Sequence, residues 1–203
     1  MIPIFKKEFL FEEGHFTYKT FNQRPDTEVL GVRQVHGNAL SEGSLPIPEV
    51  LAQADGIFCS FREKILPKIA IITADCLPIT LIGSQGMALI HAGWRGLKAN
   101  IIKQPQLLRI KPFFAFIGPH IRDCCYEVDK DFFKHFQETI SFQNIKGPRL
   151  FFNLEKEALY QLTKTFPNIE VDSSLRCTKC HDEYHSYRRN QTEKRNWNIL
   201  EKR

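Results

Sequence analysis

Two short apolar runs, each leading to a reactive side chain, constrain what this chain can become. Residues 69–96 read Ile-Ala-Ile-Ile-Thr-Ala-Asp-Cys-Leu-Pro-Ile-Thr-Leu-Ile-Gly-Ser-Gln-Gly-Met-Ala-Leu-Ile-His-Ala-Gly-Trp-Arg-Gly. The run at 69–72 is β-branched and too short for a helix, so it reads as a buried strand. It delivers Asp75 and Cys76, and Pro78 disfavours a helix directly behind them. The run at 87–90 delivers His91. Gly93 and Gly96 then flank Trp94 and Arg95 in a tight turn predicted to enter a helix. A thiol and an imidazole at the ends of two neighbouring strands can meet in space. Such a pair is either part of a metal site or a Cys–His nucleophile.

The remaining pattern is mixed. Residues 9–11 and 16–21 alternate as short strands, 29–35 reads as a strand ending at His36, and another strand begins at 55–60. Residues 41–49, with Pro46 and Pro48, form a loop. Helical spacing runs through 97–110, interrupted at Pro105. A strand at 113–117 ends in Gly118-Pro119-His120. Asp129 is a candidate N-cap for a helix over 130–140, and Asn153 for one over 154–166. A short strand is expected at 169–171. No repeat, low-complexity segment or linker divides the chain. The expectation is an α+β fold, one compact domain over residues 1–203 with mixed sheets sandwiched and flanked by helices.

With 203 residues, 42% hydrophobic and 25% charged, the chain has the balance of a globular protein with one sizeable core. Its 17 Phe are read as core filling. The net charge of +5 is spread out except near the C-terminus, where Arg188, Arg189, Lys194, Arg195, Lys202 and Arg203 gather. Glu193 and Glu201 interrupt that cluster and Trp197 is its sole aromatic, so it reads as a solvated basic tail and not a nucleic-acid surface. A basic balance also suits a phosphorylated substrate. No apolar run approaches the roughly 20 residues of a membrane span, and the N-terminal residues lack a charged-then-apolar signal pattern. A cytoplasmic protein is therefore expected, with its 6 Cys reduced. The oligomeric state stays open.

Two sets of residues could carry chemistry. Cys177-Thr-Lys-Cys180-His181 has the c-type haem attachment pattern, and His185 adds a possible zinc-knuckle ligand. An export signal is missing for haem, and the second ligand pair lacks the usual spacer, so this segment reads as a Cys-rich surface loop. The dispersed set is His36, Cys76 and His91, each closing an apolar run beside a Gly- or Pro-bearing loop. Three N/S ligands leave one tetrahedral position for water, as in catalytic zinc sites. Spacing alone also allows each to be an ordinary polar residue at a strand end.

Five motifs occur in order: Gln34-Val35-His36-Gly37; Thr73-Ala74-Asp75-Cys76-Leu77-Pro78; His91-Ala92-Gly93-Trp94-Arg95-Gly96-Leu97; Ile117-Gly118-Pro119 followed by Cys124-Cys125-Tyr126-Glu127-Val128; and Cys177-Thr178 followed by Ser186-Tyr187-Arg188-Arg189. Together, over about 33–190, they resemble the laccase-domain family, also called polyphenol oxidase or multifunctional purine nucleoside phosphorylase. The resemblance implies a compact α/β sandwich and a zinc held at His36, Cys76 and His91. It implies phosphorolysis of adenosine, inosine, guanosine and methylthioadenosine, and deamination of adenosine. Copper-dependent phenol oxidation is also attributed to the family. Cys177 falls on a family position, whereas Cys180 is expected to be dispensable for metal and activity. The chain departs from the family in its short segment before the first motif, and in carrying His120, Arg122 and Asp123 where small residues are usual. His120 is expected at the surface.

The preferred expectation is a zinc-dependent purine nucleoside enzyme acting with phosphate. For deamination, metal-activated water attacks C6 of the purine while a carboxylate shuttles the proton. Asp75 is the nearest acid in sequence, and a hydrogen-bonded turn residue is its alternative role. For phosphorolysis, Arg95 is the candidate phosphate holder, the alternative being an Arg that pins the turn by bonding carbonyls. A metal-free cysteine hydrolase or deamidase would use Cys76 as nucleophile and His91 as base. A zinc-stabilised binding protein with reduced activity is the non-enzyme alternative. The 7 His include no His-X-His pair, which argues against a multicopper cluster.

Overall fold

Residues 1–48, 51–136, 141–146 and 149–203 are described by a computed structural model. In chain order the strands are β1 (Phe5–Phe11), β2 (Gly14–Phe21), β3 (Ser41–Glu42), β4 (Gly56–Ser60), β5 (Ile69–Thr73), β6 (Leu77–Gly83) and β7 (Gly86–Ala92). Helices α1 (Trp94–Lys98) and α2 (Pro105–Arg109) follow, then β8 (Pro112–Ile117), β9 (Glu127–Val128), β10 (Phe142–Lys146) and β11 (Arg149–Phe152). Helix α3 (Leu154–Thr165), β12 (Glu170–Ser173), α4 (Tyr187–Asn190) and β13 (Asn196–Lys202) complete the chain.

The strands form three sheets. One has the order β1-β2-β13-β5, the second β12-β8-β6-β7-β4-β3, and the third β10-β11-β9. The first two pack face to face. Phe9, Phe16, Tyr18, Ile69, Ile71 and Leu200 on one side meet Ile57, Ile82, Met87, Leu89, Phe114 and Phe116 on the other. Phe116 alone touches the rings of Phe5, Phe9 and Tyr18 at 5.9, 5.3 and 5.1 Å. Each such pair adds about 0.5–1.5 kcal/mol beyond its buried area, which accounts for the use of Phe here. The opposite face of the large sheet, through Ile79, Leu81 and Ile90, packs on Leu97, Ile101, Leu107, Ala158 and Leu162 from the helical segments. Because this sheet is covered on both sides, every residue of β6 and β7 is buried, and their apolar runs are continuous instead of alternating. The expected fold of sandwiched mixed sheets with flanking helices is the observed one.

Several local expectations are corrected. Residues 29–35 form no strand, only isolated bridges from Leu30 to Ile69 and from Arg33 to Gln53. The helical spacing over 97–110 breaks into α1, a 3-10 turn at Ile101–Lys103 and α2, with Pro105 opening α2 where its missing N–H costs nothing. Asp129 does cap a helix, accepting from the Phe132 N–H, but that helix is a 3-10 segment, Lys130–His135; residues 137–140 lie outside the described region. Asn153 caps α3 by accepting from the Lys156 N–H, as expected. The basic tail is partly a strand: β13 lies inside the first sheet, paired on both sides. Among the described residues no helix is long and apolar enough to cross a membrane.

Most consequential for the site, β5 and β7 adjoin across the sandwich and are not paired in one sheet. They belong to the two different packed sheets. The chain leaves β5, turns a corner at 74–76 and enters β6, and Cys76 sits at that corner. Buried polar groups steady it. Asn198 accepts from Tyr18 Oη at 2.7 Å and donates to Thr73 Oγ1 at 3.0 Å, locking β2, β13 and the end of β5 together.

Candidate active site

Asp75 takes a left-handed backbone conformation, φ 97°, to make the corner, a conformation uncommon for non-glycine residues. Its surroundings compensate. The carboxylate accepts from Thr178 Oγ1 at 2.6 Å and from the Arg188 N–H at 2.7 Å, and its carbonyl accepts from the Ile121 N–H at 2.9 Å. Asp75 therefore ties the corner to two distant loops. The next residue, Cys76, approaches the backbone of Gly93 so closely that a Cβ at that glycine would stand 2.9 Å from Sγ. Only glycine permits the contact.

His91 lies within β7, paired with Pro78 of β6. Its backbone N–H donates to the Asp55 carbonyl at 2.7 Å, and its ring Nδ1 lies 2.9 Å from Asp55 Oδ1. His36 is delivered by the irregular segment 29–37. There, Gln34 grips both the N–H and the carbonyl of Ile72 at 2.7 and 2.8 Å. His36 is left-handed, φ 60°, and its N–H donates to Asp55 Oδ1 at 2.9 Å, with the Gly37 N–H on Oδ2 at 2.6 Å. One fully buried carboxylate thus organises two segments. Burial raises the Asp55 pKa, but the His91 ring and these backbone donors outweigh it and hold the group below its usual value.

The ligand atoms of His36, Cys76 and His91 all lie within 4.8 Å of one another. The two imidazoles meet edge to face, 4.9 Å apart. With His91 Nδ1 engaged by Asp55, Nε2 is the nitrogen left for this cluster, the carboxylate–histidine arrangement common around metals. Burial opposes a charged Cys76, yet His91 and His36 pull its thiol down to about 6. Burial likewise opposes a charged His91, while Cys76 and Asp55 push it up to about 9. A thiolate with two imidazoles is a donor set suited to zinc or copper, and the residues fit a metal.

These residues open into a cavity of about 810 Å³, within the range of small-molecule pockets. Arg33, Arg95, Arg188 and Arg195 line it, with Trp94, Tyr126 and Tyr187. The Arg95 guanidinium stacks on the Trp94 ring at 4.6 Å. Arg95 is itself exposed. Arg188 lies over Tyr126 at 4.8 Å and donates to the Glu127 carbonyl.

Sequence reasoning missed Asp55, whose only outward sign was an acid at the start of a buried strand. It also misplaced His120, which is fully buried; Nδ1 is 2.9 Å from the Gly118 carbonyl. The Cys177, Cys180, His181, His185 knuckle does not assemble. His185 bonds the Asn22 carbonyl instead, and the two cysteines gather with Cys124 and Cys125.

Residues 15–200 match the family described as multi-copper polyphenol oxidoreductase laccase. A purine nucleoside phosphorylase of Aquifex aeolicus is 38% identical over 136 residues, 63% of this chain and 62% of that protein. A purine nucleoside phosphorylase of Rickettsia conorii is 32% identical over 142 residues, 66% of this chain and 55% of that protein. The chain thus spans less than two thirds of the length of these relatives. A crystal structure from Neisseria meningitidis superimposes with a TM-score of 0.74 at 24% identity, covering 86% of this chain and 74% of that one. Its likeness concerns the fold. With sequence and architecture agreeing over nearly the whole chain, the protein belongs to the multi-copper polyphenol oxidoreductase laccase family.

Proposed function

We propose that this chain is a metal-dependent purine nucleoside phosphorylase whose ligands are His36, Cys76 and His91. The observation that carries the reading is the opening of this N/S cluster into a cavity ringed by four arginines and three aromatic residues. The relatives named as purine nucleoside phosphorylases support the substrate class. When bound, the metal, zinc in this reading with copper as the alternative, would supply Lewis acidity beside the cavity.

The chain's own residues do the rest. Trp94, Tyr126 and Tyr187 offer ring faces for the base. Arg95, with Arg33, Arg188 and Arg195 around it, holds phosphate by charge-assisted hydrogen bonds. The phosphate oxygen forms its bond to C1′ as the C1′–N9 bond breaks, and the base departs with the bonding electrons and takes up a proton. Asp75 is a positioning residue, since both of its oxygens hold Thr178 and the Arg188 backbone. Adenosine deamination is a second activity of the same cavity in this reading. Neither activity involves nucleic acid or a membrane.

One observation favours a different reading. Cys76, His91 and Asp55 also have the thiol, imidazole and carboxylate order of a metal-free hydrolase. His36 separates the two. Under the metal reading His36→Ala lowers metal affinity and abolishes release of free base from inosine and phosphate, with partial rescue by excess zinc. Near-normal turnover in that variant, insensitive to chelator, would falsify the metal reading.

A further inference from the structure

Strands β8 and β12 run parallel, side by side at one edge of the large sheet. Their C-terminal ends therefore leave the sheet together. A bridge between His120 and Cys177, with the Thr178 N–H donating to the His120 carbonyl at 2.9 Å, keeps the emerging segments paired. Each then makes a tight turn. In one, the N–H groups of Cys125 and Tyr126 both donate to the Arg122 carbonyl at 2.9 Å; in the other, those of Cys180 and His181 reach the Cys177 carbonyl at 3.2 Å. The turns face each other and bring four thiols into one cluster.

The Sγ atoms of Cys124, Cys125, Cys177 and Cys180 all lie within 4.8 Å of one another. Cys180 Sγ is 3.7 Å from Cys124 Sγ and 3.3 Å from Cys125 Sγ. Sulfurs about 2.3 Å from a tetrahedral zinc stand about 3.8 Å apart along each edge. The cluster is therefore close to that size before any adjustment. We propose that these four cysteines form a second metal site, a closed tetrahedral zinc site separate from His36, Cys76 and His91.

The backbone around Cys177 suits this use. The Arg122 N–H is directed at its sulfur at 3.5 Å. Burial disfavours its thiolate, but the N–H groups of Arg122, Cys180 and Lys179 lower its pKa. Burial and the neighbouring sulfurs raise Cys124 and push Cys125 up to about 11. A divalent ion would offset the repulsion among four thiolates. Four protein ligands leave no open position, so the role is structural. The site would staple the 118–126 segment to the 174–181 segment. Those segments carry Ile121 and Thr178, two of the three residues that hold Asp75, so the second metal would brace the cavity wall.

The test is metal stoichiometry in purified, thiol-reduced protein. A His36→Ala/Cys76→Ala variant should retain one equivalent of zinc. Adding Cys177→Ser and Cys180→Ser should remove it. If the serine substitutions prevent folding, two measurements on the His36→Ala/Cys76→Ala protein still decide. Cobalt replacing zinc should give the intense charge-transfer absorption of four thiolates, and mapped alkylation should show the four cysteines protected until a chelator is added. No bound metal in that variant would overturn the proposal, as would zinc retained after loss of Cys177 and Cys180, or a Cys125–Cys180 disulfide in place of the metal. Loss of metal from the His36, Cys76, His91 site alone leaves this equivalent in place, so the two readings fail separately.

Discussion

The Asp55 carboxylate receives N–H groups from Val35, His36 and Gly37 and faces Nδ1 of His91. Replacing one oxygen by an amide leaves the size unchanged but turns an acceptor into a donor aimed at other donors. Asp55→Asn should therefore rotate or misprotonate His91 and release the His36 turn. A partner of this kind is worth roughly 10–100-fold in metal affinity, and that is the expected loss in a chelator competition assay. Unchanged affinity would show that Asp55 serves folding alone. Here the limits of sequence reading are visible. His36, Cys76 and His91 could be picked out because each ends or nearly ends an apolar run. Asp55 could not, because its partners are 18 to 36 residues away and mostly backbone. His120 differs for the opposite reason: a polar residue after Gly-Pro looks exposed, but beyond β8 and β12 it bridges Cys177 and is fully buried.

At the scale of elements, β13 shows how a strand disappears into its composition. Its segment carries Asn196, Asn198, Glu201 and Lys202 among the apolar residues, so it reads as tail. Two partner strands supply the missing reason for order. Glu201 is buried in this sheet, where Lys19, Lys68 and Arg203 surround it. Burial raises its pKa, but Lys19 and then the other cations prevail, and the folded value lies below 4.5. A depressed carboxylate stabilises the fold above its unfolded pKa and loses that contribution as pH falls through the folded value. The Tm advantage of the parent over Glu201→Gln should therefore be full near neutrality and shrink below about pH 4.5. A difference independent of pH would mean the charge does not matter. The hairpin between β6 and β7 offers a steric counterpart. A Cβ at Gly83 would stand 2.0 Å from the Ile110 carbonyl oxygen, and backbone cannot swing aside. Gly83→Ala should cost about 1–3 kcal/mol by overpacking, read from denaturant midpoints.

For the whole molecule, the packed sheets were legible because the apolar runs of β5 and β7 are short, that of β5 being β-branched as well. The assignment of those runs to different sheets was not, since nothing local says where a chain turns a corner. The cavity is equally non-local: its arginines come from positions 33, 95, 188 and 195, and sequence pointed only to Arg95. Their convergence yields a test that a thiol hydrolase would not pass. Arg95 is solvent-exposed, so its attraction for phosphate is open to screening. Raising ionic strength from about 0.1 M to about 1 M shortens the screening length from about 10 Å to about 3 Å. In the phosphorylase reading the KM for phosphate should then rise several-fold while the KM for nucleoside, an uncharged molecule, stays nearly level. Arg95→Ala should raise the phosphate KM at low salt and flatten its salt dependence. Arg95→Lys should fall between, keeping the charge but losing the planar fork that grips two oxygens at once. If both KM values rise in parallel with salt, or Arg95→Ala binds phosphate as the parent does, phosphate is not held by this arginine.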